Sequence, residues 1–305
     1  MRPTRPARAG LVALPVLLAA MACAPADDSD GSSSSAGTET SSDASASAGS
    51  TEAADACAPE SLDLRTPGTL TVGTDSPAYE PWFVDDDPTN GQGYESALAY
   101  AVADELGFSK DQVTWVTVPF NTSYKPGAKT FDLDINQISI TPAREKVVDF
   151  SDGYYSATQA IIALKDSPVA AATSVADLAD YKLGAQTGTT SLTAIRDTIK
   201  PSSDPAVFED TNAAKQALLN GQVDAIVADL PTAFYITSVE IPKASILGQF
   251  AAETDQDEEF GMLFEKGSSL VPCVDRALAT LTSNGTLEQL QQQWLSDTVG
   301  VPTLP

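Results

Sequence analysis

The strongest constraint on this chain is an alternation. From 57 to 305, roughly 245 residues, short apolar runs of strand length alternate with stretches whose apolar residues recur at helical spacing. The strand runs fall at 70–73, 113–118, 132–135, 160–164, 182–186, 225–227 and 261–264. The helical stretches fall at 94–106, 141–148, 190–198, 213–219, 231–238, 269–283 and 287–295. In the first of these, Leu98, Ala101, Val102 and Leu106 share one face. Strand and helix in repeated succession predict an α/β fold with open, mainly parallel sheets. The length exceeds the commonest domain size and predicts two lobes.

Two of the strand–helix units echo each other, FDLDINQISITPAREKV and VDAIVADLPTAFYI. Each puts polar residues just past the carboxyl end of a strand, where open α/β sheets hold their ligands. One such edge per lobe would face the other across a cleft. In the first unit Thr141 stands as an N-cap and Pro142 as the first helical residue, which places Arg144 in the first turn. A cation there opposes the helix dipole at a cost of about 0.3–1 kcal/mol. The chain has 42 acidic and only 17 basic residues, so an arginine in that position calls for a functional reason.

Composition removes several function classes. There is no histidine, hence no imidazole base and no Ser-His-Asp or Cys-His arrangement. No glycine-rich nucleotide fingerprint opens a helix. Three cysteines without histidine or a CxxC pair give no zinc signature. Three arginines lie in the first eight residues; without them 14 basic residues face the 42 acids, a charge of −28. Nucleic-acid binding, which needs a basic face, is excluded on that balance.

The first 22 residues read as a signal peptide: Arg2, Arg5 and Arg8, then a short apolar run at 11–20. Cys23 follows Ala20, Met21 and Ala22 in a lipobox-like order and is expected to carry lipid. Residues 24–56 are Ser, Ala, Thr, Gly and acids, with no aromatic and no basic residue, the composition of an unfolded tether. Cys57 and Cys273 then remain as one pair. In an exported chain they read as a disulfide, the alternative being two buried thiols.

The candidate binding groups sit at strand ends. Asp75 closes the strand in LTVGTD, with Tyr79 and Trp82 beyond it and Phe120 after VTWVTV. These aromatics are either covers of a core or walls of a pocket. In GAQTGTTSLTAI, Thr189 and Thr190 lead into a helix whose free N–H groups suit a carboxylate, or merely cap it. Asp229 ends VDAIVAD and opens a helix, as a cap or as a partner for an ammonium. One guanidinium, one anion-binding turn, carboxylates and aromatics are the equipment for a free amino acid.

These residues resemble the bacterial extracellular solute-binding proteins of amino-acid ABC importers, family 3, of the periplasmic-binding-protein-like type II fold. The resemblance covers nearly all of 57–300 and is carried by LTVGTDSPAYEPW, GYESALAYAVADELG, FDLDINQISITPAREKVVDFSDGYY, LGAQTGTTS, VDAIVAD and SNGTLEQLQQQW. It implies two open sheets joined by two hinge strands, with lobe 1 at 57–158 plus 259–300 and lobe 2 at 159–258. It implies that Arg144 grips the ligand's α-carboxylate, helped by Ser139, Thr189 and Thr190, and that Asp229 holds the α-ammonium. Tyr79 or Trp82, with Phe120, would flank the ligand side chain, Asp75 would reach its end, and Asn136 and Gln137 would line the pocket. Asp75 beside the aromatics favours a cationic or amide side chain. A dicarboxylic ligand would want a second pocket cation, for which Lys125 is nearest. The chain is thus expected to be a monomeric binding protein on the outer face of the cell membrane. It would need no catalytic residue, cofactor or metal, and would pass an amino acid to a permease. Another zwitterion, a quaternary amine, or a lyase activity on the same fold are the alternatives.

Overall fold

The computed structural model describes residues 56–251, 258–295 and 300–305. The expectations for the signal peptide, for Cys23 and for the tether up to residue 55 lie outside the described residues. Two five-stranded sheets organise the rest.

In the first sheet, β1 (Leu70–Thr74) lies between β2 (Val113–Thr117) and β3 (Leu133–Asp134), both parallel to it. Two antiparallel strands complete it, β4 (Val148–Phe150) and β12 (Leu263–Glu265), in the order β2-β1-β3-β12-β4. Helix α1 (Tyr94–Glu105) packs Leu98 and Val102 on the sheet together with Val72, Leu133 and Ile135. Two C-terminal helices, Val271–Ser283 and Thr286–Leu295, cover the same face and add Val274, Leu278 and Leu281. A second apolar cluster, with Val118, Phe120, Phe131 and Leu263, covers the opposite face. A strand covered on both faces is buried along its whole length, as LTVGT is. A disulfide joins Cys57, at the start of this lobe, to Cys273 in the first of the C-terminal helices.

The second sheet has the order β10-β6-β9-β7-β8. Its strands are β6 (Gln159–Leu164), β7 (Leu183–Gln186), β8 (Ala206–Phe208), β9 (Ala225–Asp229) and β10 (Ala244–Phe250). Along β6, Ile161 and Ala163 join one core while Ala160 and Ile162 join another, the period-two split of a strand between two helix layers. The chain passes from the first sheet to the second where β5 (Tyr155–Ala157) runs into β6. It returns at β11 (Glu258–Phe260), which pairs antiparallel with β5. The last residues also belong to this half: Leu304 is buried in its core and its N–H donates to Gln249 O at 2.8 Å.

Three expectations change. The stretch 141–148 is a run of turns and not a helix. Glu145 N–H bonds back to Thr141 O and Val148 N–H to Arg144 O. The chain then enters β4 at Val148, which leaves no length for further turns. Arg144 therefore opposes no helix dipole. The run expected at 261–264 straddles a break, because β11 ends at Phe260 and β12 begins at Leu263. The sheets are also mixed: each has two parallel and two antiparallel pairings, the antiparallel ones made where the chain crosses between the sheets or returns.

Candidate functional site

Each sheet has a run of three parallel strands, β2-β1-β3 in the first and β9-β7-β8 in the second, and residues at their carboxyl ends line a common cleft. From the first sheet come Asp75 after β1, Phe120 after β2 and Asn136 and Gln137 after β3. From the second come Thr189 and Thr190 after β7, Thr211 after β8 and Asp229 at the end of β9. All of these line one cavity of about 60 Å³. On a scale where one water takes about 10–15 Å³ this is room for a few waters.

The lining is acidic. Asp75 and Asp229 contribute carboxylates, and no lysine or arginine is among the lining residues. Asp75 accepts hydrogen bonds from the N–H groups of Ser76 at 2.7 Å and Phe120 at 3.1 Å. Burial, despite those bonds, raises its pKa above the usual carboxylate range. Asp229 occupies the N-cap position of the helix Leu230–Tyr235 but makes no capping bond with its side chain. Its Oδ1 accepts from Gln159 Nε2 at 3.0 Å. Burial, followed by repulsion from Glu258, pushes its pKa up to about 8. Asn136 is 7% exposed, lines the cavity, and has no partner for Nδ2 among the described residues.

Beneath the first-lobe side lie two further buried acids. Glu95, in the first turn of α1, accepts from Gln137 N at 2.7 Å, from Gln137 Nε2 and from Tyr154 Oη. Burial, against those bonds, raises its pKa to about 7. Gln137 holds this bond from a left-handed backbone position, φ 48°, which is uncommon outside glycine. Asp134 is fully buried, neither of its oxygens has a partner among the described residues, and its pKa is raised well above the carboxylate range. Burial is the main cause there, with Glu95 and Asp75 adding repulsion.

Arg144 lies beside the cavity, not in its lining. Its guanidinium stacks on Tyr124 at 4.7 Å and Phe120 at 5.6 Å. Nη1 donates to Ser139 O at 2.6 Å, and Nη2 crosses to the second lobe and donates to Gly188 O at 2.9 Å. Ser139 Oγ is 3.2 Å from Thr190 Oγ1 and donates to Glu258 Oε1 at 2.6 Å. Thr189 caps the helix Thr190–Ala194, its Oγ1 accepting from Leu192 N at 3.1 Å.

Tyr79 lines the cavity and reaches across it. Its Oη accepts from Asn212 N at 3.3 Å, and Lys215 Nζ lies 5.4 Å from its ring while bonding both carboxylate oxygens of Glu240. Trp82 does not share this position. It is fully buried, edge-on to Tyr94, Tyr155 and Phe260, and donates from Nε1 to Thr232 Oγ1 at 2.8 Å. The indole is too well enclosed by lobe-1 aromatics to face the cavity, and it supports the cavity-lining Thr232 from behind. Lys125 is not in the lining either; its carbonyl accepts from Lys129 Nζ.

Several neighbours of the site escape a reading by motif. Asp134 carried a usable signal, an acid inside an apolar strand run. Glu95 sits in a helix start, where acids are common for reasons of dipole alone. Glu258 and Gln159 carry no local signal, since only the crossing of the two connecting strands brings them to the cleft.

The sequence model of the bacterial extracellular solute-binding proteins, family 3, matches residues 70–297. The arginine-binding extracellular protein ArtP of Bacillus subtilis (strain 168) is 30% identical over 236 residues, 74% of this chain and 86% of that protein. The L-cystine-binding protein TcyJ of Escherichia coli (strain K12) is 28% identical over 231 residues, 74% of this chain and 82% of its own. Among solved structures, an ancestral arginine-binding protein bound to glutamine superposes with a TM-score of 0.63 at 30% identity. It covers 75% of this chain and 99% of its own.

Proposed function

The chain belongs to the bacterial extracellular solute-binding proteins, family 3, and from that premise we propose that it is the lipid-anchored substrate-binding component of an amino-acid ABC importer. The carrying observation is the polarity of the cleft. Arg144 lies at one end beside the Thr189 and Thr190 turn, and Asp229 faces the cavity from the other lobe. An α-carboxylate at the first end and an α-ammonium at the second would bridge the lobes. The ligand then stabilises the closed form because it binds that form better than the open one. Arg144 carries five N–H groups; two donate to Ser139 O and Gly188 O and the side chain also bonds Tyr124, which leaves donors for a carboxylate.

The proposed ligand is a polar amino acid with a cationic or amide side chain. Tyr79, Phe120 and Asp75 all line the cavity, which suits aromatic walls and a carboxylate at the side-chain end, and no lysine or arginine in the lining would meet an acidic side chain. Binding requires no covalent chemistry, so the reading is a receptor and not an enzyme. Relatives named for arginine and glutamine fit this range, while one is named for cystine, a longer zwitterion with both charges at its far end. A quaternary amine is the second reading, favoured by the two aromatic rings in the lining. We take lobe 1 as 57–158 plus 259–300 and lobe 2 as 159–258, with Cys23 as the lipid attachment and the closed lobe pair, a monomer, as the form met by the permease. A thermal-shift screen of the twenty amino acids and related amines tests the ligand class, and labelled palmitate tests Cys23.

A further inference from the structure

The two strands that connect the lobes bring one side chain to both ends of the proposed site. Glu258 opens β11, pairs with Ala157 of β5, and lies beside Gln159, the first residue of β6. Its Oε2 accepts from Gln159 Nε2 at 2.9 Å, and the same nitrogen donates to Asp229 Oδ1 at 3.0 Å. Its Oε1 accepts from Ser139 Oγ at 2.6 Å, and Ser139 Oγ lies 3.2 Å from Thr190 Oγ1. One hydrogen-bonded chain therefore runs Asp229, Gln159, Glu258, Ser139, Thr190, from the second lobe through the hinge to Ser139 of the first lobe and back to the second.

The backbone keeps the inner links of this chain together. Ser139 is bridged to Phe260 of β11, and Ile140 N–H donates to Glu259 O at 2.8 Å. Gln159 is paired with Asp229 across β6 and β9. Parting of the lobes would separate Ser139 from Thr190, while Glu258 stays with Ser139 and Gln159 stays with Asp229.

We propose that Glu258 is a positioning residue of the ligand site: from the hinge it fixes the hydroxyl of Ser139 and, through the amide of Gln159, both the orientation and the charge of Asp229. This rests on the roles proposed above for Ser139 and Asp229. Two carboxylates here share one amide nitrogen, and Gln159 Oε1 is buried with no partner among the described residues. The charged and titratable groups acting on Asp229 are Glu258 of β11, Glu95 of α1, Arg144 of the turn after β3 and Tyr155 of β5. Two of these are carboxyl groups against a single guanidinium, which already donates to two backbone carbonyls. The arrangement is short of positive charge, and a ligand ammonium supplies it.

The test uses Glu258→Gln, with Glu258→Asp as a second variant. Glutamine is isosteric and keeps both contacts if its oxygen accepts from Gln159 and its amide nitrogen donates to Ser139 Oγ. The ligand-free readout is the titration of the Asp229 carboxyl by carbon-13 NMR, assigned by its loss in Asp229→Asn. Glu258→Gln is expected to lower that midpoint by about one unit or more, as removal of a close like charge does, whereas Glu258→Asp leaves it raised. An unchanged midpoint in Glu258→Gln overturns the proposal. The binding readout is calorimetry with L-arginine and L-glutamine as probes across pH 6–9. Glu258→Gln is expected to shift the pH profile of binding downward, and wild-type affinity with an unmoved profile also overturns the proposal. If no amino acid binds the wild-type protein, the reading of the ligand class fails, and the Asp229 midpoint still decides the role of Glu258.

Discussion

Arg144 Nη2 donates to Gly188 O at 2.9 Å, from the first lobe to the second. The guanidinium proposed to grip the ligand carboxylate thus also links the lobes directly. Gly188 precedes Thr189 and Thr190 in the cavity lining, so closure and carboxylate binding draw on one side chain and one turn. The guanidinium also lies over the rings of Phe120 and Tyr124.

Arg144→Ala should lose both functions. Truncating one partner of a buried, hydrogen-bonded charge pair costs about 2–5 kcal/mol, so amino-acid affinity is expected to fall at least thirtyfold by calorimetry. Arg144→Lys should rescue little of it, because an ammonium cannot reproduce the planar fork. Near-wild-type affinity in the lysine variant would argue against a bidentate grip.

Gly188 is constrained twice. Its φ is +75°, and a Cβ there would run into Tyr124 Oη and Asn121 Oδ1 of the other lobe. Gly188→Ala should therefore cost about 1–3 kcal/mol in strain alone and hold the lobes apart. Small-angle scattering in saturating ligand should show a larger radius of gyration than for the wild type, with weaker binding by calorimetry. A fully closed variant would contradict this.

The raised carboxyl groups set a pH trend with a definite sign. Asp229 moves from 3.8 to about 8 and Glu95 from 4.5 to about 7 on folding. Between the unfolded and folded values the native state binds more protons, so stability from these groups is full at low pH and falls as pH rises. The ligand-free protein should lose melting temperature from pH 5 to pH 8 more steeply than Asp229→Asn does. Equal slopes would remove Asp229 as a source. Exposed carboxylates with lowered values, such as Asp177, act in the opposite sense and cancel in the comparison.

The Cys57–Cys273 disulfide closes a loop across 216 residues. Reduction, or a double serine variant, should destabilise the ligand-free protein by about 2–5 kcal/mol and lower its melting temperature. Binding at temperatures well below that transition should persist, because the bond lies among helices remote from the cleft residues. Loss of binding in a folded, reduced protein would tie the bond to the site.

How far the sequence carried depended on whether a feature was local. The α/β class and the long helices followed from periodicity, since Leu98, Val102, Val274 and Leu278 repeat on single faces. The polar residues at strand ends were also visible, because a strand followed by a turn places them there whatever lies around it. Three-residue strands such as Tyr155–Ala157 were not visible, being too short to show a period. The turn at Thr141 imitates a helix start, and only the pairing of Val148 in β4 reveals that the helix never forms. Trp82 shows the limit for aromatics: Tyr79 and Trp82 lie three residues apart in one loop, yet one lines the cavity and the other fills the core. Glu258 and Gln159 become neighbours 99 positions apart only through the hinge.

Isothermal titration calorimetry of the wild-type protein and Asp229→Ala, with whichever amino acid gives the largest thermal shift, tests the two-ended cleft most directly. Saturable one-to-one binding by the wild type and its loss in a folded Asp229→Ala protein are the predicted result. Equal affinity in the two proteins would contradict the assignment of the ammonium end to Asp229. A wild-type protein that binds no zwitterion at all would contradict the ligand class itself.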